Sequence, residues 1–376
     1  MKPAIPEQFG SDYAEFCEVD PFNIHNEVSG VVCHKSTEFY GALYITKVNG
    51  VDCPQLIMAT PKMHYPFFSR DDGTRNYQFP SAKEIEIYTK LDGTNILAYF
   101  YSDAKGNRFL SYKTRLRPFL SSGKFGNFLE MWREIATPFF PSIRQVMIDA
   151  RCNLSFEMYG ARNPHLIAYS NPLDIALLFG VTNQGNILSP NDLGQNCLPK
   201  ASLLSVVSKD YVWNYEELQR KLQGELSQEE EGHYSGNEGA VWYLKTPDGR
   251  CIQYKCKPEM IEAIHFSAGA GGLSKNVILA TCWNAFENED SPSVGFIKTL
   301  LVEEFKPEIV EAHHYQIESC LEFVKKEQEF RSNVLEAYKS TGKSILLQKR
   351  EVMKEIAPNF PREKMGKVYA VISSFA

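Results

Sequence analysis

The sequence predicts an α+β protein, β-rich through its first two thirds and helical in its last third. Three observations predict it. Up to residue 256, apolar and polar residues alternate in short runs broken by Gly- and Pro-containing turns, the period of half-buried strands. After Pro258 the apolar spacing becomes three and four residues, with Glu and Lys interspersed as on solvated helix faces. The composition, 43% hydrophobic and 23% charged over 376 residues, is that of a globular chain long enough for two or three domains.

Element by element, Gly41–Thr46 and Gln55–Thr60 are β-like runs, and Ser69–Asn76 is a polar, glycine-containing loop. Residues 84–117 read as strands. Between Phe125 and Ile135, the residues Phe128, Leu129, Trp132 and Ile135 share one helical face. Residues 154–181 return to strands, and Glu216–Leu226 fits a short helix. Gln228–Gly236 reads as a mobile acidic loop. Residues 239–256 form a hairpin turning at Pro247-Asp248-Gly249. Helical periodicity then marks Met260–Phe266, Val294–Phe305, Ile309–Phe323 and Phe330–Tyr338. The expected organisation is a β-rich segment over 1–80 packed on a core over 81–260, then a helical domain over 261–376.

The formal net charge of −6 announces no global basic field, although a local basic groove is compatible with it. Nine cysteines are scattered without a Cys-x-x-Cys pair, which favours reduced thiols and a cytoplasmic location. No stretch has signal-peptide or membrane-spanning character, so no membrane partner is expected.

The most informative stretch is Lys90-Leu91-Asp92-Gly93-Thr94-Asn95. A lysine attacks phosphorus only as the free amine, and its ordinary pKa of ~10.4 lies about three units too high for neutral pH. Burial and neighbouring cations can lower it. Asp92-Gly93 reads as a tight turn between strands, using glycine's tolerance of positive φ. A plain hairpin explains the same residues.

Further candidates follow down the chain. The cation-dense strand end Lys113-Thr114-Arg115-Leu116-Arg117 can grip phosphate or ribose, or can be a solvated edge. Glu157 stands in an apolar strand, where a carboxylate needs a partner, either a sugar hydroxyl or an arginine. Phe179 is a stacking candidate in a strand that also reads as core. Glu238 can ligate Mg²⁺ or be a surface charge. Lys255 and Lys257 point to one strand face and repel unless an anion lies between them.

Taken in order, these motifs resemble those of the covalent nucleotidyltransferases, and among them the ATP-dependent RNA ligases, over roughly residues 60–260. Lys90–Asn95 resembles the nucleophile motif, Thr114-Arg115 the motif after it, Phe156-Glu157 with Gly160 the third, Glu238-Gly239 the fourth and Lys255-Cys256-Lys257 the fifth. Asn95 and Asn163-Pro164 are more like the RNA ligases that circularise single strands. The helical tail departs from the OB-fold, with its closing basic motif, of DNA ligases and capping enzymes; Arg362-Glu363-Lys364 is a faint match to that motif.

The resemblance implies a nucleotidyltransferase core of mixed antiparallel sheets, ATP-grasp-like, with Lys90 as nucleophile and Lys255 and Lys257 on the α-phosphate. It further implies Asn95, Arg115, Glu157 and Phe179 on the nucleotide and Glu238 on Mg²⁺ or Mn²⁺. The reaction implied joins 5′-phosphate and 3′-hydroxyl ends of RNA through lysine–AMP and an adenylated end. RNA would reach the site over Lys113, Arg115, Arg117 and Lys124, and a homodimer is left open. A neighbouring lysine is expected to depress the Lys90 pKa. Deleting 261–376 is expected to spare adenylation more than end joining. The alternatives are a GTP-using capping-type guanylyltransferase and a nucleic-acid-binding protein with an inactive nucleotide pocket.

Overall fold

A computed structural model describes residues 5–35, 37–69, 74–122, 127–194, 197–230, 233–261, 273–302 and 305–375. Strands β1 (Tyr13–Val19), β2 (Glu27–Cys33), β3 (Leu43–Val48) and β4 (Val51–Ile57) form an antiparallel meander in that order. A short ladder of β5 (Phe67–Ser69) and β6 (Arg75–Tyr77) follows. Next come β7 (Glu84–Lys90), β8 (Thr94–Ser102) and β9 (Arg108–Lys113), then helices α1 (Phe128–Ala136) and α2 (Phe140–Ala150). The chain continues through β10 (Cys152–Tyr159), β11 (Asp174–Thr182), β12 (Ile187–Leu188), β13 (Leu203–Val207) and α3 (Tyr211–Glu225). It then forms β14 (Ser227–Glu230), β15 (His233–Ser235), β16 (Gly239–Lys245) and β17 (Cys251–Cys256). The later described elements are helical: α4 (Lys275–Ala285), α5 (Val294–Val302), α6 (Pro307–Ala312), α7 (His314–Thr341), α8 (Ile345–Ile356) and α9 (Met365–Ser373).

Two antiparallel sheets make the centre, ordered β12-β11-β10-β8-β9 and β13-β7-β16-β17. Tyr88, Val241 and Tyr243 of one pack with Phe179 and Val181 of the other, and Met58 joins them. The opposite face of β7 carries Ile85 and Ile87 against Trp242, Tyr215 and Phe67. With both faces covered, β7 buries polar Glu86 as well, and Lys245 Nζ meets it at 2.6 Å. The alternation of β7 therefore separates two cores rather than core from water. Trp242 is fully buried. Its replacement by Ala is expected to destabilise by ~3–5 kcal/mol through the cavity left behind, measured by urea denaturation.

Three expectations change. Gln228–Gly236 pairs as β14 with β15 because Tyr234 is buried among Leu166, Ile167 and Leu226 and anchors the hairpin; residues 231–232 lie outside the described residues. Ile309–Phe323 and Phe330–Tyr338 do not form separate helices. The polar stretch between them interrupts the apolar period, yet nothing there breaks a helix, and most of both falls in the 28-residue α7. That helix ends at Gly342, whose φ of 60° suits the left-handed closing residue. The short helix at 216–226 is longer and starts at Tyr211. Parts of the expected Ser69–Asn76 loop and of the Met260–Phe266 helix, namely 70–73 and 262–266, also lie outside the described residues.

The helical elements share a core with the β-rich part. Leu166, Ile167, Leu226 and Tyr234 pack with Val277, Ile278, Leu301, Ile317 and Leu321. All nine cysteines are free thiols. Among the described residues, no helix is long and apolar enough to cross a membrane.

Candidate active site

Lys90 ends β7, but the chain does not turn back there. β7 pairs with β16, Lys90 lying opposite Gly239, whereas β8 pairs with β10, Thr94 lying opposite Met158. Leu91-Asp92-Gly93 is thus a crossover between two sheets and not a hairpin turn. Gly93 is absent from the positive-φ glycines among the described residues. It is required for a different reason: a Cβ there would lie 2.3 Å from the Met158 carbonyl oxygen and 2.9 Å from Tyr159 Cβ. Asp92 ties the crossover to the loop after β10. Its amide donates to Tyr169 Oη at 2.8 Å, and its Oδ2 accepts from the Ile167 amide at 2.7 Å. Gly93→Ala must push β8 from β10, an overpacking penalty of ~1–3 kcal/mol. It is expected to displace Lys90 and lower any chemistry there by ~100-fold, checked by thermal melting beside an activity assay.

The β7–β16–β17 register brings Lys90, Glu238 and Lys257 together. Lys90 Nζ donates to Glu238 Oε2, and Lys257 Nζ lies 2.7 Å from Glu238 Oε1. Glu238 is 5% exposed and Lys257 7%. Burial alone would raise the Glu238 pKa, but Lys257 and Lys90 outweigh it and hold the carboxyl down at about 2. Burial likewise pulls the Lys90 ammonium down, and the surrounding Glu238, Glu157 and Asp92 outweigh that, so its pKa stands above the usual lysine value. This reverses the expected depression: the nearest charges are carboxylates rather than lysines. The anion beside Lys257 is likewise Glu238, while Lys255 Nζ sits 4.5 Å from the Tyr65 ring centroid.

Glu157, on β10, faces Asn95 across the ladder. Its Oε1 accepts from the Gly93 amide at 3.0 Å, and Asn95 Nδ2 reaches its Oε2 at 3.4 Å. Of the two partners expected, a sugar hydroxyl or an arginine, the arginine's place is taken by these protein contacts. Burial is the largest cause raising its pKa to about 8; Glu238 and Asp92 add to it against Lys90. Asn95 Nδ2 also donates to Ser155 Oγ and the Phe156 carbonyl, and its Oδ1 accepts from Thr60 Oγ1 at 2.8 Å. Its expected contact with the nucleotide therefore competes with four protein partners.

These groups open on a cavity of about 350 Å³. Leu178, Phe179, Val241 and Tyr243 form an apolar wall, and Phe179 is only 2% exposed. Lys62, Lys90, Arg115, Lys255 and Lys257 supply cations. Arg115 Cζ lies 5.5 Å from the Tyr40 ring centroid. Lys113, expected to meet RNA, is instead 1% exposed and donates to the carbonyls of Gly41, Thr114 and Arg115 at 3.0, 2.7 and 2.7 Å. Arg117 is engaged with Asn288 and Asp290, and Lys124 lies outside the described residues. Thr281, Asn284, Glu287 and Asn288, beyond the expected domain boundary, complete the wall. Their signal is polar residues spaced three, four and seven apart, Thr281 and Asn284 on α4 and Asn288 in the turn after it.

A nucleoside triphosphate matches an apolar wall facing clustered cations within a cavity of this size. For a divalent cation the donors are hard carboxylate oxygens. Among the described residues, no three His, Cys, Asp or Glu side chains group as a metal cage. Mg²⁺ needs only one or two carboxylates where phosphates supply the rest, and Glu238 suits that role.

No family model matches the chain, and no curated protein does. Among solved structures it is similar to two forms of an archaeal ATP-dependent RNA ligase. One has 13% identity over 87% of this chain and 77% of that one, with a TM-score of 0.46. The other has 14% identity over 89% and 78%, with a TM-score of 0.45. A variant of Naegleria gruberi RNA ligase has 14% identity over 48% of this chain and 51% of its own, with a TM-score of 0.32. These likenesses are partial, and the functional reading rests on the site's own residues.

Proposed function

We propose that the chain is an ATP-dependent RNA ligase acting through a lysine-bound AMP. The observation that carries the reading is Lys90 and Lys257 on one buried carboxylate, Glu238, at a cavity with an apolar wall on one side and cations on the other. The choice of RNA rests on the motif resemblance, on Asn95 and Asn163-Pro164 in particular, and on the helical elements after residue 273.

In this reading the Lys90 amine forms a bond to the α-phosphorus of ATP as the α–β anhydride bond breaks and pyrophosphate leaves. Lys90 rests as an ammonium paired with Glu238 and must lose its proton before it attacks. Lys255 and Lys257 meet the charge that develops on the phosphate oxygens. Phe179 flanks the base, and Glu157, with Asn95 holding it, faces the ribose. Arg115 faces the sugar or the incoming end. Glu238 would hold the divalent ion, which when bound neutralises phosphate charge. AMP then passes to an RNA 5′-phosphate, and a 3′-hydroxyl displaces it. Each step is an in-line displacement, in which positioning and charge stabilisation do most of the catalysis. The β-rich segment, core and helical segment act as the three regions bounded near residues 80 and 260.

The test is incubation of the full chain with Mg²⁺ and α-labelled ATP or GTP, followed by a denaturing gel and peptide mapping. Label from ATP on Lys90 supports the reading. Label from GTP alone turns it to capping-type guanylyl transfer. No label, from protein that mass measurement shows to carry no pre-existing AMP, overturns it in favour of a binding protein.

A further inference from the structure

The turn that leaves α4 is fastened to the start of β8, just after the Lys90 crossover, and to the segment that follows β9. Thr94 Oγ1 donates to Glu287 Oε1 at 3.1 Å, and Thr114 Oγ1 donates to the Glu287 carbonyl at 3.0 Å. The Leu116 amide donates to Asn288 Oδ1 at 3.1 Å, and Arg117 Nε donates to the Asn288 carbonyl at 2.8 Å. Arg117 Nη2 pairs with Asp290 at 2.9 Å. His165 bridges the same place, with Nδ1 3.1 Å from Asn284 Oδ1 and Nε2 3.6 Å from Glu287 Oε1. Thr94 is completely buried and follows Lys90 by four residues.

A side chain that only plugged this seam would be apolar. A carboxylate here, its side chain only 13% exposed and beside other acids, is unfavourable unless a specific geometry depends on it. Burial, with Glu157 adding to it, carries the Glu287 pKa well above the ordinary carboxyl value. The geometry it fixes is that of Thr94, the residue at which the crossover becomes β8.

We infer that Glu287 is a positioning residue for Lys90, so that the helices after residue 273 govern the first nucleotidyl transfer and not only the later recognition of RNA ends. The inference rests on the function proposed above. It also reverses the expectation that removing residues 261–376 spares adenylation, since that deletion takes away Glu287, its anchor and part of the cavity wall.

The experiment uses the full chain with Glu287→Ala, Glu287→Gln, Thr94→Val and the Ala–Val double variant, each confirmed folded by circular dichroism. The readout is the rate of label transfer from ATP to Lys90 against ATP concentration. Glu287→Ala is expected to lower the maximal rate by ~100-fold while KM for ATP stays within about twofold, the mark of lost positioning rather than lost binding. Glu287→Gln, whose amide oxygen still accepts from Thr94, is expected to recover most of the rate. Thr94→Val also removes the 3.0 Å bond from Asn163 Nδ2 to Thr94 Oγ1, so it is expected to lower the maximal rate at least as far as Glu287→Ala, and the double variant to add little beyond Thr94→Val. If Glu287→Ala fails to fold, Thr94→Val, which keeps the shape, carries the test. Unchanged rates, or a raised KM at an unchanged maximal rate, overturn the inference.

If the wild-type chain takes no label from any nucleotide, the function proposed above fails. The coupling is then read from the acetylation rate of Lys90 by mass spectrometry. A change of several-fold on Glu287→Ala sustains it, and an unchanged rate removes it.

Discussion

Lys90→Arg is expected to abolish nucleotidyl transfer to the chain while leaving it folded. Arginine is the informative replacement because of what surrounds Lys90. Removing one partner of a buried ion pair commonly destabilises by ~3–5 kcal/mol, since the other charge is stranded. Lys90→Ala avoids the full penalty only because Lys257 stays on Glu238 at 2.7 Å. Arginine keeps a cation on Glu238 and adds bulk, an overpacking effect of ~1–3 kcal/mol at most. A guanidinium stays protonated at any pH a protein survives, so it cannot supply the lone pair. The variant separates charge from nucleophilicity: the ion pair persists and the chemistry stops. Label transfer from ATP and intact mass check it. Residual adduct at the wild-type level would mean that another residue is the nucleophile.

How much of this was legible from the chain depends on the separation of the interacting residues. The hexad Lys90–Asn95 stands out locally, and the strands around it follow from their alternation. Which sheet each strand joins is not local. β7 and β8 read as a hairpin because three residues separate them, yet their partners lie near residues 240 and 155. Gly93 was legible as a necessity but not for its reason, because the carbonyl it avoids belongs to Met158. The pKa shift at Lys90 was misread in direction for the same cause. Lysines follow it in the resembled motifs, but the ladder sets Glu238 against it. Glu287, 193 residues from Thr94 and beyond the texture change at Pro258, left only a weak helical spacing of polar residues. The helices after 273 were legible as helices, while their share in the cavity was not.

Glu238→Gln is expected to give the largest loss of stability of any single change in the site, with a pH signature of its own. The substitution preserves shape but leaves the ammonium groups of Lys90 and Lys257 without their anion in a largely buried place, a loss of ~3–5 kcal/mol near pH 7. In the wild type the Glu238 carboxyl sits at about 2 when folded, below its ordinary 4.5. Its contribution is therefore fully present above 4.5 and disappears as the pH falls through about 2. Lys90 has the opposite sense. Its pKa is raised when folded, so its contribution is complete below 10.5 and fades as the pH rises above that. The variant loses both edges. Glu157 adds a third slope: raised to about 8 from 4.5, it contributes stability at acid pH that is lost as the pH rises through about 8. Urea denaturation from pH 3 to 9 should then show a gap between wild type and variant that is widest near neutrality and narrows below pH 4.5. A gap constant across the whole acid range would mean that Glu238 stabilises by packing alone. The same variant frees Lys90 from the anion that holds its proton, yet label transfer is expected to fall. Under the proposed function the lost carboxylate is also the group that holds the divalent ion, and a less protonated Lys90 cannot replace that role.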